Sequence, residues 1–300
     1  VAADPAGPVA RQFLPSVAEL AIAPEELADP IGDEAHSPVK GIVHRYADRV
    51  LLKALHVCPA YCRFCFRREV VGPGSEALNE AELDTALAYV ATHPAVWEVV
   101  LTGGDPLMLS ARRLARIVTA LDAIAHVGVI RLHTRVPVLA PEMLDAARLA
   151  ALKARESAVY VALHANHADE FTPAALAACA ALADAGIPLL GQTVLLRGVN
   201  DDAAMLETLF RTMVRNRIKP YYLHHADLAP GTAHFRTTIA AGQDLMRNLR
   251  GRVSGLCQPT YVLDIPGGHG KVPIGPSYLP AEGQVIDPAG NIHTYPPMAR

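Results

Sequence analysis

The sequence predicts an α/β protein whose parallel sheet curls into an open or closed barrel. Three observations carry that expectation: short β-rich runs alternate with helical patterns from residue 50 to 270, the runs are nearly continuously apolar, and polar or glycine-rich residues gather where they end. Successive runs stand about thirty residues apart, the length of one βα unit. Continuous apolarity marks a parallel sheet covered on its outer face. Right-handed crossovers then curl the strands round, and the strand C-termini with the loops after them carry the site.

The strands fall at 50–56, 96–102, 127–133, 158–164, 188–196, 218–224 and 260–264, rich in Val, Leu, Ile and Tyr. Helical patterns occupy 79–91, 110–125, 141–154, 173–185, 202–216 and 239–249. Several open on good caps: Asn79 before Glu80 and Glu82, Ser110, Thr172 before Pro173, and Asp201-Asp202. One repeating αβ domain over 41–271 is expected, preceded by an N-terminal arm (1–40) and followed by a short Pro/Gly-rich C-terminal extension (272–300).

Apolar residues make up 51% of the 300 and charged residues 19%, ample material for a core and no sign of disorder. A net charge of −3 provides no field for gripping a phosphate backbone, so nucleic acid is not expected as a partner. No run of about twenty apolar residues suggests a membrane partner. The start, Val1-Ala2-Ala3-Asp4-Pro5, lacks the regions of a signal peptide and is not Met, so residues are expected upstream. Five cysteines, odd in number and clustered, suit a reducing compartment. A soluble cytoplasmic enzyme is the expectation.

Three of those cysteines sit in Cys58-Pro59-Ala60-Tyr61-Cys62-Arg63-Phe64-Cys65, directly after the first strand. Three thiolates hold only three corners of a cubane iron–sulfur cluster, whereas ferredoxins supply a fourth. Cys179 and Cys257 are distant and lie in apolar stretches. An iron left without a protein ligand can bind a small molecule. The spacing, with Phe64 before the last cysteine, resembles the radical S-adenosylmethionine superfamily. That resemblance implies a partial (β/α)6-type barrel and a 4Fe-4S cluster whose open iron chelates S-adenosylmethionine. One electron then releases a 5′-deoxyadenosyl radical. A loop of buried cysteines, or an iron–sulfur electron carrier, is the competing reading.

The second strand runs into Gly103-Gly104-Asp105. Glycines let backbone approach a ligand, and a carboxylate accepts from an ammonium or ribose; a plain turn before a helix would look the same. One βα unit after the cysteines, it resembles the element that holds the amino group of S-adenosylmethionine. His164 and Gln192, at the ends of the fourth and fifth strands, are candidates for further contacts to that cofactor, or satisfied core residues. Lys271 ends the loop Pro266-Gly267-Gly268-His269-Gly270-Lys271, which lacks nucleotide-loop spacing. A desolvated amine there would suit a Schiff base, and an exposed lysine is the plainer alternative.

From Gly41 to the last strand the chain resembles lysine 2,3-aminomutase, a family dependent on both S-adenosylmethionine and pyridoxal 5′-phosphate. The matching runs are Cys62-Arg63-Phe64-Cys65-Phe66-Arg67-Arg68, Leu196-Arg197-Gly198-Val199-Asn200-Asp201, His234-Phe235-Arg236-Thr237 and the Lys271 loop, with His269 a departure from a family glycine. The resemblance implies that Lys271 carries pyridoxal phosphate as an internal aldimine and that Arg45 and Arg49 bind its phosphate. Without the family, those arginines could equally pair with Asp48. Arg67 would take the substrate carboxylate, and Asp227 with Asp264 the ε-ammonium. The implied reaction moves the amino group of L-lysine from C2 to C3, giving β-lysine, where a glutamate enzyme should lack the acidic pair. An external one-electron reductant such as flavodoxin or ferredoxin is implied. No cysteine follows Cys257, so the structural zinc of longer members is not expected and a homo-oligomer stays open. Another amino acid, or lysine destined for elongation factor P modification, is the alternative substrate.

Because only the clustered thiols can converge on one cubane, Cys58→Ala, Cys62→Ala and Cys65→Ala should each abolish cluster incorporation. Cys179→Ala and Cys257→Ser should leave it intact. Iron and sulfide analysis after anaerobic reconstitution checks this, and a full complement in Cys62→Ala would end the radical-enzyme reading.

Overall fold

A computed structural model describes residues 4–72 and 77–296, so the first three residues of the arm and the last four of the extension lie outside it. Nine strands form one sheet in strict sequence order. They are β1 (Ile42–Tyr46), β2 (Arg49–Leu55), β3 (Glu98–Gly103), β4 (Val129–Thr134), β5 (Ala158–His164), β6 (Leu189–Leu195), β7 (Ile218–His225), β8 (Thr260–Ile265) and β9 (Gly270–Pro273). β2 to β8 run parallel, each pairing with the next. β1 and β9 pair antiparallel on the two edges. Six βα units therefore lead into a seventh parallel strand, the partial barrel expected from the thirty-residue repeat. The two edge strands were missed because each is short and polar or glycine-rich, and the pattern shows only once its neighbour is in place.

The helices begin where the caps said. Asn79 and Glu82 form a reciprocal capping box at Glu80–Ala91. Ser110, Thr172, Asp202 and Thr238 cap Ala111–Asp122, Pro173–Asp184, Ala203–Arg215 and Ile239–Leu249. The expected helix over 141–154 instead breaks into a 3-10 turn, Pro141–Met143, and a short helix, Ala146–Ala151. The Asp145 side chain accepts the Arg148 N–H at 2.8 Å and so starts a new helix inside the old pattern.

Side chains alternate along each parallel strand. Val50, Leu52, Val99, Leu101, Ile130, Leu132, Val161 and Leu163 are fully buried in the main apolar cluster, with Leu83, Val90, Leu114 and Ile117 of the outer helices. The intervening residues, among them Arg49, Glu98, Arg131, His133, Gln192, Tyr222, His224 and Asp264, line a cavity inside the curl. The sheet is thus apolar outward and charged inward. The C-terminal extension adds a separate hairpin, Gln284–Ile286 with Ile292–Thr294. Among the described residues no helix is long and apolar enough to cross a membrane.

The two edges of the barrel meet through a side chain. The hydroxyl of Tyr46, at the end of β1, accepts the backbone N–H of Lys271 on β9 at 2.7 Å. The arm packs over the same seam: Gly32, at φ +68°, lies so near the Gly267–Gly268 backbone that a Cβ there would come within 2.5 Å of Gly268 N. Tyr46→Phe leaves that part-buried N–H without its acceptor, so unfolding in denaturant should show a loss of about 1–2 kcal/mol.

Candidate active site

The inward-facing residues enclose a cavity of about 700 Å³ at the C-terminal mouth of the strands. It collects Cys58, Cys62, Cys65, Gly104, Asp105, His164 and Gln192 with Arg45, Arg49, Arg67, Asp227, Asp264 and Lys271. Every site residue expected from sequence is there except Gly103, which stands back from the lining.

The cysteine loop is fastened at its root by the glycine pair. Gly104 N–H donates to Leu55 O at 2.7 Å and Asp105 N–H to Val57 O at 2.9 Å. A Cβ on Gly104 would lie 2.3 Å from Val57 O, and one on Gly103 (φ +101°) 2.8 Å from Leu55 O. Both glycines therefore act on the cysteine loop itself. The Asp105 carboxylate, expected to meet a ligand, is instead saturated. It accepts from Leu107 N, Thr134 Oγ1, Arg135 N and Val136 N at 2.7–3.1 Å, which occupies its four lone-pair sites. Its effect on any ligand passes through the turn after β4.

All three clustered thiols are partly exposed to the cavity, whereas Cys179 and Cys257 are buried in the apolar core. Burial, the Asp105 carboxylate and the two neighbouring cysteines push the Cys58 thiol up to about 12. Burial and Cys62 push Cys65 up to about 11. Thiols raised in this way, Cys58 and Cys65, need a multivalent cation to become thiolates together. Among the described residues no three His, Cys, Asp or Glu side chains could chelate a single ion. A cubane, which gives each thiolate its own iron, fits this donor set. Arg135, missed in the sequence, donates from Nη1 to Cys62 Sγ at 2.9 Å. Its other nitrogen reaches Gln12 of the arm and the buried Glu170. Its position at the end of β4 was the signal that could have found it.

His164 and Gln192 face the cavity from β5 and β6. The His164 ring is edge-on to Phe64, with centroids 5.7 Å apart, and its Nε2 is 3.1 Å from Asn166 Oδ1. Gln192 Oε1 accepts from His224 Nε2 at 3.3 Å. Aromatic, amide and imidazole groups here could receive a nucleoside.

Lys271 lies across the mouth from the cysteines. Its Nζ is ion-paired with Asp264 and stands 3.2 Å from His224 Nδ1. Despite burial, the charge and hydrogen bond of Lys271 hold the Asp264 carboxyl below the ordinary carboxylate range. Burial and then the Asp264 charge push Asp227 up to about 7, against the pull of Lys271, Arg67 and Arg45. His224, another residue the sequence did not single out, is driven down to about 4 by burial and the Lys271 charge. With Nε2 turned to Gln192, the neutral ring presents Nδ1 to the lysine as an acceptor.

Arg45 and Arg67 converge on Asp33 of the arm, at 3.2 and 3.1 Å. Arg49 pairs with Asp48 at 2.7 Å and lays its guanidinium over the Tyr46 ring, as one reading of the sequence allowed. Arg45 Nε is buried without a partner. A strand-edge lysine with two arginines on one wall, one holding an unsatisfied donor, fits pyridoxal phosphate.

Three cysteines after the first parallel strand of a partial barrel, answered by Gly-Gly-Asp after the second, define a class. Residues 53–209 match the radical SAM superfamily, to which the chain belongs. A radical SAM methyltransferase from Sphaerobacter thermophilus superposes with a TM-score of 0.52 at 18% identity, over 74% of this chain and 68% of that one, and shows the fold alone. Within that class the particular assignment is equally plain: the chain belongs to the lysine 2,3-aminomutase family, with residues 246–296 matching its C-terminal region. It is 41% identical to the L-lysine 2,3-aminomutase of Fusobacterium nucleatum over 272 residues, 91% of this chain and 64% of that protein. It is also 41% identical to a putative L-lysine 2,3-aminomutase of Aquifex aeolicus, over 92% of this chain and 75% of that protein. A glutamate 2,3-aminomutase of Clostridioides difficile is 36% identical over 93% of this chain and 66% of its own length. Against the first of these relatives the chain thus spans less than two thirds of their length. Membership implies a 4Fe-4S cluster, S-adenosylmethionine and pyridoxal phosphate as cofactors.

Gly104→Ala tests the fastening of the cysteine loop. The clash with Val57 backbone should displace the loop and cut iron incorporation severalfold, read by iron analysis and visible absorbance after reconstitution. Gly186→Ala, at a turn with no neighbour within 4 Å, is the strained but unclashing control and should keep its iron.

Proposed function

We propose that the chain moves the amino group of L-lysine from C2 to C3, giving β-lysine. The observation that carries this reading is two carboxylates in one cavity, Asp264 ion-paired to an alkylammonium and Asp227 within reach of the charges of both. In the structure the ammonium is that of Lys271. The side-chain amine of a lysine substrate is the same chemical group, and the carboxylates that hold one suit the other. The side-chain carboxylate of glutamate would meet two like charges there, which disfavours that substrate.

Bound in the cavity, the cluster with S-adenosylmethionine would supply a carbon radical able to abstract hydrogen, and pyridoxal phosphate a conjugated carbonyl able to carry nitrogen between carbons. Cys58, Cys62 and Cys65 would hold the cluster, and Arg135 would place a positive charge on Cys62. His164 and Gln192 would orient the nucleoside, and Arg45 with Arg49 the phosphate. Lys271 would present its amine to the cofactor, kept in line by the neutral His224 acceptor. Arg67 would take the α-carboxylate, setting the substrate's two polar ends against Arg67 and the acidic pair. That fixes which carbon faces the radical. An external one-electron reductant and a soluble cytoplasmic setting belong to this proposal.

The direct test is anaerobic reconstitution with a chemical reductant and L-lysine, scored for 5′-deoxyadenosine and β-lysine. No deoxyadenosine would return the cysteines to an electron-carrier role. Deoxyadenosine without β-lysine would send the search to other amino acids.

The acidic pair gives a sharper outcome. Removing one carboxylate from a buried charge contact costs about 2–5 kcal/mol, so Asp264→Asn should raise the KM for L-lysine at least about tenfold. Asp227→Asn should behave alike, and the double variant should lose less than the sum, because both residues hold one cation. Asp227 must ionise to do so. With its proton leaving at about 7, the KM of the parent should fall as pH rises from 6 to 8, and Asp227→Asn should flatten that dependence. Parent-like KM values in both single variants would make the pair structural.

A further inference from the structure

Among the described residues Asp33 is the one carboxylate on which three cations from three segments converge. Its Oδ1 accepts from Arg45 Nη2 of β1 at 3.2 Å. Its Oδ2 accepts from Arg67 Nε and Nη2, beyond the cysteine loop, at 3.2 and 3.1 Å, and faces Lys53 Nζ of β2 at 3.5 Å. The side chain is only 9% exposed. Neither is it free to swing away. Asp33 N–H donates to Asp29 Oδ1 at 2.9 Å, and Ser37 Oγ donates to the Asp33 carbonyl at 2.8 Å. The preceding Gly32 is locked against Gly267–Gly268, three residues before Lys271. The carboxylate is a fixed post, set from the same backbone contact that places the lysine loop.

We infer that Asp33 is a positioning residue: it holds Arg45 and Arg67 at one separation, so that the cofactor phosphate and the substrate α-carboxylate bind a single preset frame. The inference rests on the proposed function, which assigns those two arginines to those two anions. The physical reason is charge geometry. Three cations with no anion among them repel and splay toward solvent, whereas one buried carboxylate draws them together and leaves a net positive frame for incoming anions. A guanidinium gripped on one edge keeps its remaining donors aimed in one direction. The arm, which among the described residues adds no strand to the barrel sheet, thereby gains a place in ligand recognition.

The alternative physics has the opposite sign. If Asp33 merely occupies an anion subsite, deleting its charge would make the site more positive and tighten anion binding. Asp33→Asn separates the two. Reconstituted full-length variant is titrated with pyridoxal phosphate by visible absorbance, with inorganic phosphate as competitor, and assayed on L-lysine. Positioning predicts at least about tenfold weaker pyridoxal phosphate binding and a raised KM with kcat less affected, at parent-like iron content. Asp33→Glu, charged but on a longer stem, should fall between parent and Asn variant. If Asp33→Asn fails to hold iron, the Glu variant decides, and parent-like affinity in it overturns the inference. Unchanged or tighter binding by Asp33→Asn also overturns it. A parent protein that binds no pyridoxal phosphate defeats the proposed function instead, and the parent titration alone reads that outcome.

Discussion

The contact between Lys271 and Asp264 is the constraint around which the cavity is arranged. An ammonium inside a barrel is tolerable only beside a carboxylate, and a second carboxylate beside the first is tolerable only if it gives up part of its ionisation. That is the division seen here: Asp264 is held ionised by Lys271, while Asp227 is pushed up toward neutrality. His224 stays uncharged because it is buried and because a second cation beside Lys271 would be repelled. Together the four groups form a pocket for one positive charge. Whichever amine occupies it, the lysine of the chain or one from outside, meets the same partners.

The fold was largely legible because the outward and inward faces of each strand obey different chemistry. Helix-facing positions are apolar without exception in the runs around Val99, Ile130 and Val161, so the strands announce themselves. The caps Asn79, Ser110, Thr172 and Asp202 place the helices to within a few residues, since a side chain that satisfies orphan N–H groups leaves a local mark. What stayed hidden is what depends on distant partners. β1 and β9 exist as strands because β2 and β8 offer free edges, and no local pattern in Ile42–Tyr46 or Gly270–Pro273 says so. The break at Asp145 is a competition between two helix starts with similar local signals.

The site divides along the same line. Cysteine spacing, Gly-Gly-Asp and the Lys271 loop are short-range motifs and could be read directly. Arg135, His224 and Asp33 carry no motif; each matters through what lies opposite it across the cavity. Asp105 shows the converse error. Its residue type and place suggested a ligand contact, yet backbone N–H groups that only the fold delivers take up its lone pairs. A carboxylate at a strand end is ambiguous until its neighbours' donors are counted.

Both halves of the cavity depend on the arm. At the cysteine end, Gln12 is fully buried and reaches Arg135, Asn166 and Glu170, while its carbonyl accepts the Arg63 N–H. At the lysine end, Asp33 gathers Arg45, Lys53 and Arg67. An open barrel has two loose edges and, at one side of its mouth, the neighbouring cations Arg45, Lys53 and Arg67, for which its own strands supply no shared anion. One segment passing across the mouth supplies a polar partner to the cysteine side and an anion to the arginine side. It also closes on the glycine loop at the seam. The two ends of the cavity are therefore positioned by a common element, and a shift of the arm would be felt at both. The proposed radical chemistry would depend on that registration, because the atom that abstracts hydrogen and the carbon that yields it would belong to groups held at opposite ends.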